Sequence, residues 1–133
     1  MVKVITYILR TNATVQGLVG LKSEPQTDDY HKVYPVVVPQ CEKAPYIAVR
    51  MSGRVRIGKE CDSNYSVQVV SYHNSYDEVT ALNDAVISAI ESATSGTTNG
   101  QDFSFANLSS EVDDYVKEHN LYAKVTTFEG TAA

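Results

Sequence analysis

The stretch that decides the fold is Ser66–Val86, SVQVVSYHNSYDEVTALNDAV, in which a strand runs directly into a helix. Tyr65, Val67 and Val69 alternate with polar neighbours, and Val70 and Tyr72 fall on the opposite face, the two-residue period of a strand. Ser75 and Glu78 then supply the S-x-x-E pattern of a capping box, where each side chain answers a backbone N–H at the helix start. Asp77 and Glu78 also stand at the positive end of the helix dipole. Val79, Leu82, Val86 and Ile90 mark one apolar stripe, with Ala85, Ala89 and Ala93 beside it. The spacing predicts a helix over 76–94, with Gly96 as its C-terminal stop.

Working outward from this segment, Ala44–Gly53 (APYIAVRMSG) reads as a central strand, with Ile47, Val49 and Met51 alternating against Tyr46, Ala48 and Arg50. Residues 54–61 (RVRIGKEC) are charged and contain Gly58, as a hairpin tip would. Val33–Val38 is a β-branched run whose Pro35 marks an edge strand. Further back, Val2, Ile5, Ile8 and Leu9 share a helical face. Asn12 and Thr14 interrupt that pattern, Val15, Leu18 and Val19 add another helical turn, and Gly17 and Gly20 break it. Leu21–His31 is polar and reads as a loop.

On the C-terminal side, Thr94–Gln101 (TSGTTNGQ) reads as a flexible connector and Phe103–Leu108 as a strand. Val112, Tyr115, Val116 and His119 have helical spacing in an acidic, short stretch that leaves 109–120 open between helix and strand. Leu121–Phe128 is a last strand and 130–133 a frayed tail. The expected order is α-β-β-β-α-β-β: an α+β fold with a mostly antiparallel sheet of about five strands and two helices on one face, because parallel pairing needs crossover helices. The other face is left for water or a partner. No repeat or domain boundary is evident, so residues 1–133 form one domain.

Composition bounds the function. The 133 residues are 43% hydrophobic and 20% charged, which excludes wholesale disorder. Eleven Lys and Arg against sixteen Asp and Glu leave a net charge of −5, the wrong sign for a dedicated nucleic-acid grip. The apolar stretch Val4–Leu9 is too short for a signal-peptide core, and no run approaches a membrane span. A cytoplasmic site of synthesis follows, where the two thiols Cys41 and Cys61 stay reduced.

The sequence offers little to catalysis. His31, His73, Cys41 and Cys61 could be counted as zinc ligands but lack short ligand spacings. A Cys–His pair with Asp62 has no supporting pattern, and no phosphate-binding loop or nucleophile elbow occurs. Asp113–Asp114 could face a cation, although adjacent acids are usually solvated. Neither cofactor nor metal is expected. Two charge groupings stand out instead: Arg50, Arg54, Arg56 and Lys59 along and beyond the second strand, and Asp28, Asp29, Glu111, Asp113 and Asp114 in loop-like segments. They read either as two solvated surfaces or as complementary patches for a head-to-tail contact that closes into a ring. An acidic channel would repel phosphates and let double-stranded DNA slide without sticking.

Taken together, these features resemble the tail completion, or tail terminator, family of long-tailed bacteriophages. The resemblance rests on the N-terminal helix running into VQGLVG, the Val-Tyr-Pro strand at 33–35 and the Pro-Gln pair at 39–40. It continues through Pro-Tyr-Ile at 45–47, the strand-into-helix segment at 66–86, and the closing strand at 122–128. The polar insertion 22–32 and the acidic segment 111–118 depart from the pattern. The resemblance implies a non-enzymatic virion part: a homo-hexameric ring at the head-proximal end of the tail tube. Such a ring stops tube polymerisation, contacts the tube protein and the head connector or stopper, and passes DNA through its lumen without specific binding. Other readings are a neck or stopper component, or a small monomeric ligand- or peptide-binding domain using the open sheet face.

Overall fold

The computed structural model describes residues 2–19, 32–36, 38, 43–56, 63–92, 95–98 and 101–132. Its elements are α1 (Val2–Thr11), α2 (Ala13–Val19), β1 (Val33–Pro35), β2 (Tyr46–Arg56), β3 (Ser63–His73), α3 (Tyr76–Ser92), β4 (Ser95–Thr98), β5 (Gln101–Val116) and β6 (Leu121–Ala132). The strands form one sheet in the order β1-β2-β3-β6-β5-β4. The α+β class holds, with a third helix and a sixth strand added to the expected set.

Asn12 does not merely interrupt the first helix. Its Oδ1 accepts the Val15 N–H at 3.1 Å, the side-chain capping bond that starts α2, and Gly17 lies inside that helix rather than breaking it. Arg10 Nε donates to the Val33 carbonyl at 2.9 Å and so ties α1 to the edge strand. The predicted stripe of α3 is buried at Val79, Leu82, Val86 and Ile90. Its helix ends at Ser92, so Gly96 is no stop: it lies in β4, and the expected connector contributes a short strand paired with the start of β5.

At the start of α3, Ser75 accepts the Val79 N–H through its carbonyl, but the reciprocal capping-box bond is replaced. The Ser75 N–H donates to His73 Nδ1 at 3.3 Å, and His73 Nε2 meets Glu78 Oε2 at 3.0 Å. The histidine stands between the two residues that the capping box would join directly.

β1 runs parallel to β2, so the sheet is mixed; the other four pairings are antiparallel. Residues 36–45 return the chain without a helix among the described residues, a shorter crossover than parallel pairs usually have. Val36 opens this return at φ 64°, rare for a β-branched residue, and its N–H donates to the Val49 carbonyl at 2.8 Å.

On the C-terminal side one open segment is decided and one expectation is corrected. Residues 109–116, left open between helix and strand, are strand, and each residue from Ser110 to Val116 has a register partner on β6, among them Glu111 opposite Thr126, Asp113 opposite Lys124 and Tyr115 opposite Tyr122. The turn 117–120 closes this hairpin with Asn120 at φ 51°, a conformation asparagine tolerates well. Residues 130–132, expected to fray, complete β6 and pair with β3 and β5.

All three helices cover one face. Ile5 and Leu9 of α1, Val15 and Val19 of α2, and Leu82, Val86, Ala89 and Ile90 of α3 pack on Val33, Ile47, Val49, Val67, Val69 and Phe128 of the sheet. Met51, expected to continue that face, is exposed beside the β2 bulge between Met51 and Gly53.

Candidate functional site

The described members of both charge groupings lie on strands, which for Glu111, Asp113 and Asp114 replaces the expected loop-like placement. Arg50, Arg54 and Arg56 belong to β2, opposite Gln68, Tyr65 and Ser63 of β3. Asp113 and Asp114 belong to β5, with Glu111. β3 and β6 intervene between β2 and β5, so at ~4.8 Å per strand spacing the two groups are held about 14 Å apart. Lys59, Asp28 and Asp29 lie outside the described residues, as do His31, Cys41 and Cys61.

On the helix-covered face, α3 meets the β5–β6 hairpin through polar groups. Lys124 is buried on β6, with Nζ 3.0 Å from Asp113 Oδ1 and 3.3 Å from Glu111 Oε1. Tyr76 of α3 donates its hydroxyl to Asp113 Oδ2 at 2.9 Å, and the lysine ammonium lies 5.4 Å from the centre of its ring. Asn83, fully buried, donates to Glu111 Oε1 at 3.1 Å and accepts from Thr126 Oγ1 at 2.7 Å. Tyr122 packs edge-on to Tyr76 and tilted against Tyr115.

The electrostatics follow from these contacts. The Lys124 and then the Tyr76 hydrogen bonds hold the Asp113 carboxyl below its ordinary range. The Asp113 hydrogen bond raises Lys124; burial opposes it and Glu111 adds to it. Lys124 thus holds Asp113 as a charged partner, and this acid is not a free cation ligand. Among the described residues no group of three His, Cys, Asp or Glu is placed to hold a metal ion.

The open face carries a groove of about 380 Å³. Tyr46 and Tyr72 form its aromatic floor with ring centres 5.0 Å apart, Val36 and Val38 stand on one side, and Val116 and Leu121 on the other. Arg50 reaches its rim and donates from Nε to Gln68 Oε1 at 2.8 Å. Burial pushes the Tyr72 hydroxyl up, Arg50 draws it down, and Asp114 adds to the rise.

This architecture has a counterpart among solved structures. The chain is similar to one described as "Virion of native gene transfer agent (GTA) particle", with a TM-score of 0.66 over 99% of this chain and 93% of that one. The two share the fold. At 13% identity the likeness is of backbone rather than of side chains. No protein-family model matches the chain, and no curated protein does.

Sequence reasoning missed Tyr76, Asn83, Lys124 and Thr126 as a set. Asn83 was the available signal: a polar residue beside Leu82 on the buried side of α3 requires partners on whatever the helix covers. Tyr46 and Tyr72 were assigned to neighbouring strands, and their facing register positions follow from the hairpin.

Proposed function

We propose that the chain is a structural virion protein that forms a ring at the head-proximal end of a phage tail tube. There it ends tube polymerisation and offers the surface on which the head connector or stopper joins. The observation that carries this reading is the fold shared with a gene transfer agent virion chain over nearly the whole length. The strand-into-helix segment at 66–86 and the Val-Tyr-Pro and Pro-Tyr-Ile strands support it through their resemblance to tail completion proteins. A hexamer is the expected ring, its lumen passing double-stranded DNA without specific binding, in keeping with the net charge of −5. The role is non-enzymatic and needs no cofactor. Among the described residues no helix is long and apolar enough to cross a membrane.

Light-scattering mass across a concentration series, with negative-stain images, tests the ring, and capping of purified unfinished tails tests the role. Closed rings and capped tails are expected. Attachment one layer toward the head would reassign the chain to the neck or stopper position. The groove beside Tyr46 and Tyr72 favours a second reading, a small ligand- or peptide-binding domain. A chain that stays monomeric and leaves tails uncapped would support that one.

A further inference from the structure

β5 has the longest uncovered strand edge among the described residues. β4 covers it only at Gln101–Ser104, and the register shifts against β6 end at Ser110, so Ser110–Val116 is both uncovered and regular. The Tyr115 N–H donates to Asp114 Oδ1 at 2.8 Å, which turns it away from β6. The Val116 carbonyl, one residue on, lies on the turn side and accepts the His119 N–H at 3.2 Å. Alternation along the strand then turns the backbone groups of Glu111 and Asp113 outward with those of Tyr115. Unpaired groups in such a row are a template for another strand, and edges are commonly blunted by proline or lysine. Ser110–Val116 contains neither.

The side chains along this edge are open on both faces. α3 lies over β3 and β6, and Glu111, Asp113 and Tyr115 stay exposed beside it. Tyr115, Tyr122 and Tyr76 make an aromatic wall at the hairpin end, each more than a third exposed, and Val112 is 55% exposed on the other face. Glu111, Asp113 and Asp114 outnumber Lys124, which meets the first two, and Lys117 and Glu118 in the turn cancel. An added strand that complements this edge carries bases, which pair with carboxylates and stack on tyrosine rings.

A second copy of the chain does not supply that strand. Two β5 edges related by a two-fold axis would set acid against acid. In a ring whose axis runs along the strands, the registers place β1 level with Glu111–Asp113. There the Val33 carbonyl is taken by Arg10, and Pro35 has no N–H to give. The arginines of β2 lie level with Phe103–Ser110 instead.

We propose that Ser110–Val116 is the docking edge for an extended basic segment of a different virion protein, which adds to β5 as a further strand. The source of the segment rests on the virion reading above; the edge contact does not. The probe is a peptide of alternating lysine and valine, long enough to span the edge. Two controls accompany it: an alternating glutamate–valine peptide, and the fully N-methylated lysine–valine peptide, which keeps the charge and donates no backbone hydrogen bond.

Amide hydrogen exchange followed by NMR reads the contact. The lysine–valine peptide should slow exchange at Glu111 and Asp113 by at least about tenfold, and neither control should. Exchange left unchanged, or slowed equally by the N-methylated peptide, would overturn the added strand. Ser110→Lys with Asp114→Lys, both exposed and checked for folding by far-UV circular dichroism, should weaken peptide binding by at least about tenfold. Unweakened binding would also overturn it. Wild-type protein that passes these tests but joins neither purified tails nor heads would overturn the virion source of the segment and leave the edge contact standing.

Discussion

Asn83 sits on the apolar stripe of α3 with no exposed surface, and its amide is satisfied by Glu111 on one side and Thr126 on the other. Replacing Thr126 with valine keeps the volume and strands the Asn83 oxygen, which should lower stability by about 1–2 kcal/mol in urea denaturation. Lys124 sets a pH signature beside it. Because Asp113 is held below its ordinary value of 3.8, its contribution is present above that value and lost as pH falls through its lower folded value. Lys124 is raised above 10.5, so its contribution is present below 10.5 and lost as pH rises through the folded value. Lys124→Met should lower the urea midpoint by a constant amount near neutrality, and the gap to wild type should narrow in acid and again in strong alkali. Little of this cluster was legible beforehand. Glu111, Asp113 and Lys124 are far from Tyr76 and Asn83 in sequence, and only the β5–β6 register brings them under the helix.

At the scale of elements, the strand-to-helix junction shows how a correct boundary can rest on a different contact. Ser75 and Glu78 placed the start of α3 correctly, yet His73 receives the Ser75 N–H and meets Glu78. His73→Ala should therefore lower stability by about 0.5–1.5 kcal/mol, the usual worth of a hydrogen bond, and Glu78→Ala by less because its side chain is largely exposed. A capping box would give the reverse order, and thermal unfolding of the two variants decides between them. The hairpin β2–β3 and the stripe of α3 were readable because their periods are local. β4 and the second half of β5 were not: the Gly- and Thr-rich segment becomes strand only when β5 supplies its ladder, and the acidic one only when β6 does. The parallel β1 was hidden for a related reason, since its partner lies across a connection whose geometry no pattern of residues announces.

At the scale of the whole molecule, the α+β class and the single covered face followed from counting apolar stripes. The placement of the charge groups did not, because strand order β1-β2-β3-β6-β5-β4 is set by pairings between distant segments. That order puts the arginines and the aspartates toward opposite sides of the sheet, and any assembly built on them is sensitive to salt. Raising ionic strength from 0.05 to 0.5 M, over which the Debye length falls from about 14 to 4 Å, should dissociate rings measured by light scattering. The position of β6 has a consequence for how the chain reaches its native state. It lies between β3 and β5, and Val69 pairs with Thr126, so two hairpins that can each zip locally remain separate until a seam spanning more than fifty residues closes. Such non-local closure is slow relative to the hairpins themselves. Until β6 is available, β3 exposes a long apolar edge at Val67–Val70, and in that interval the nascent chain is most in need of chaperone protection.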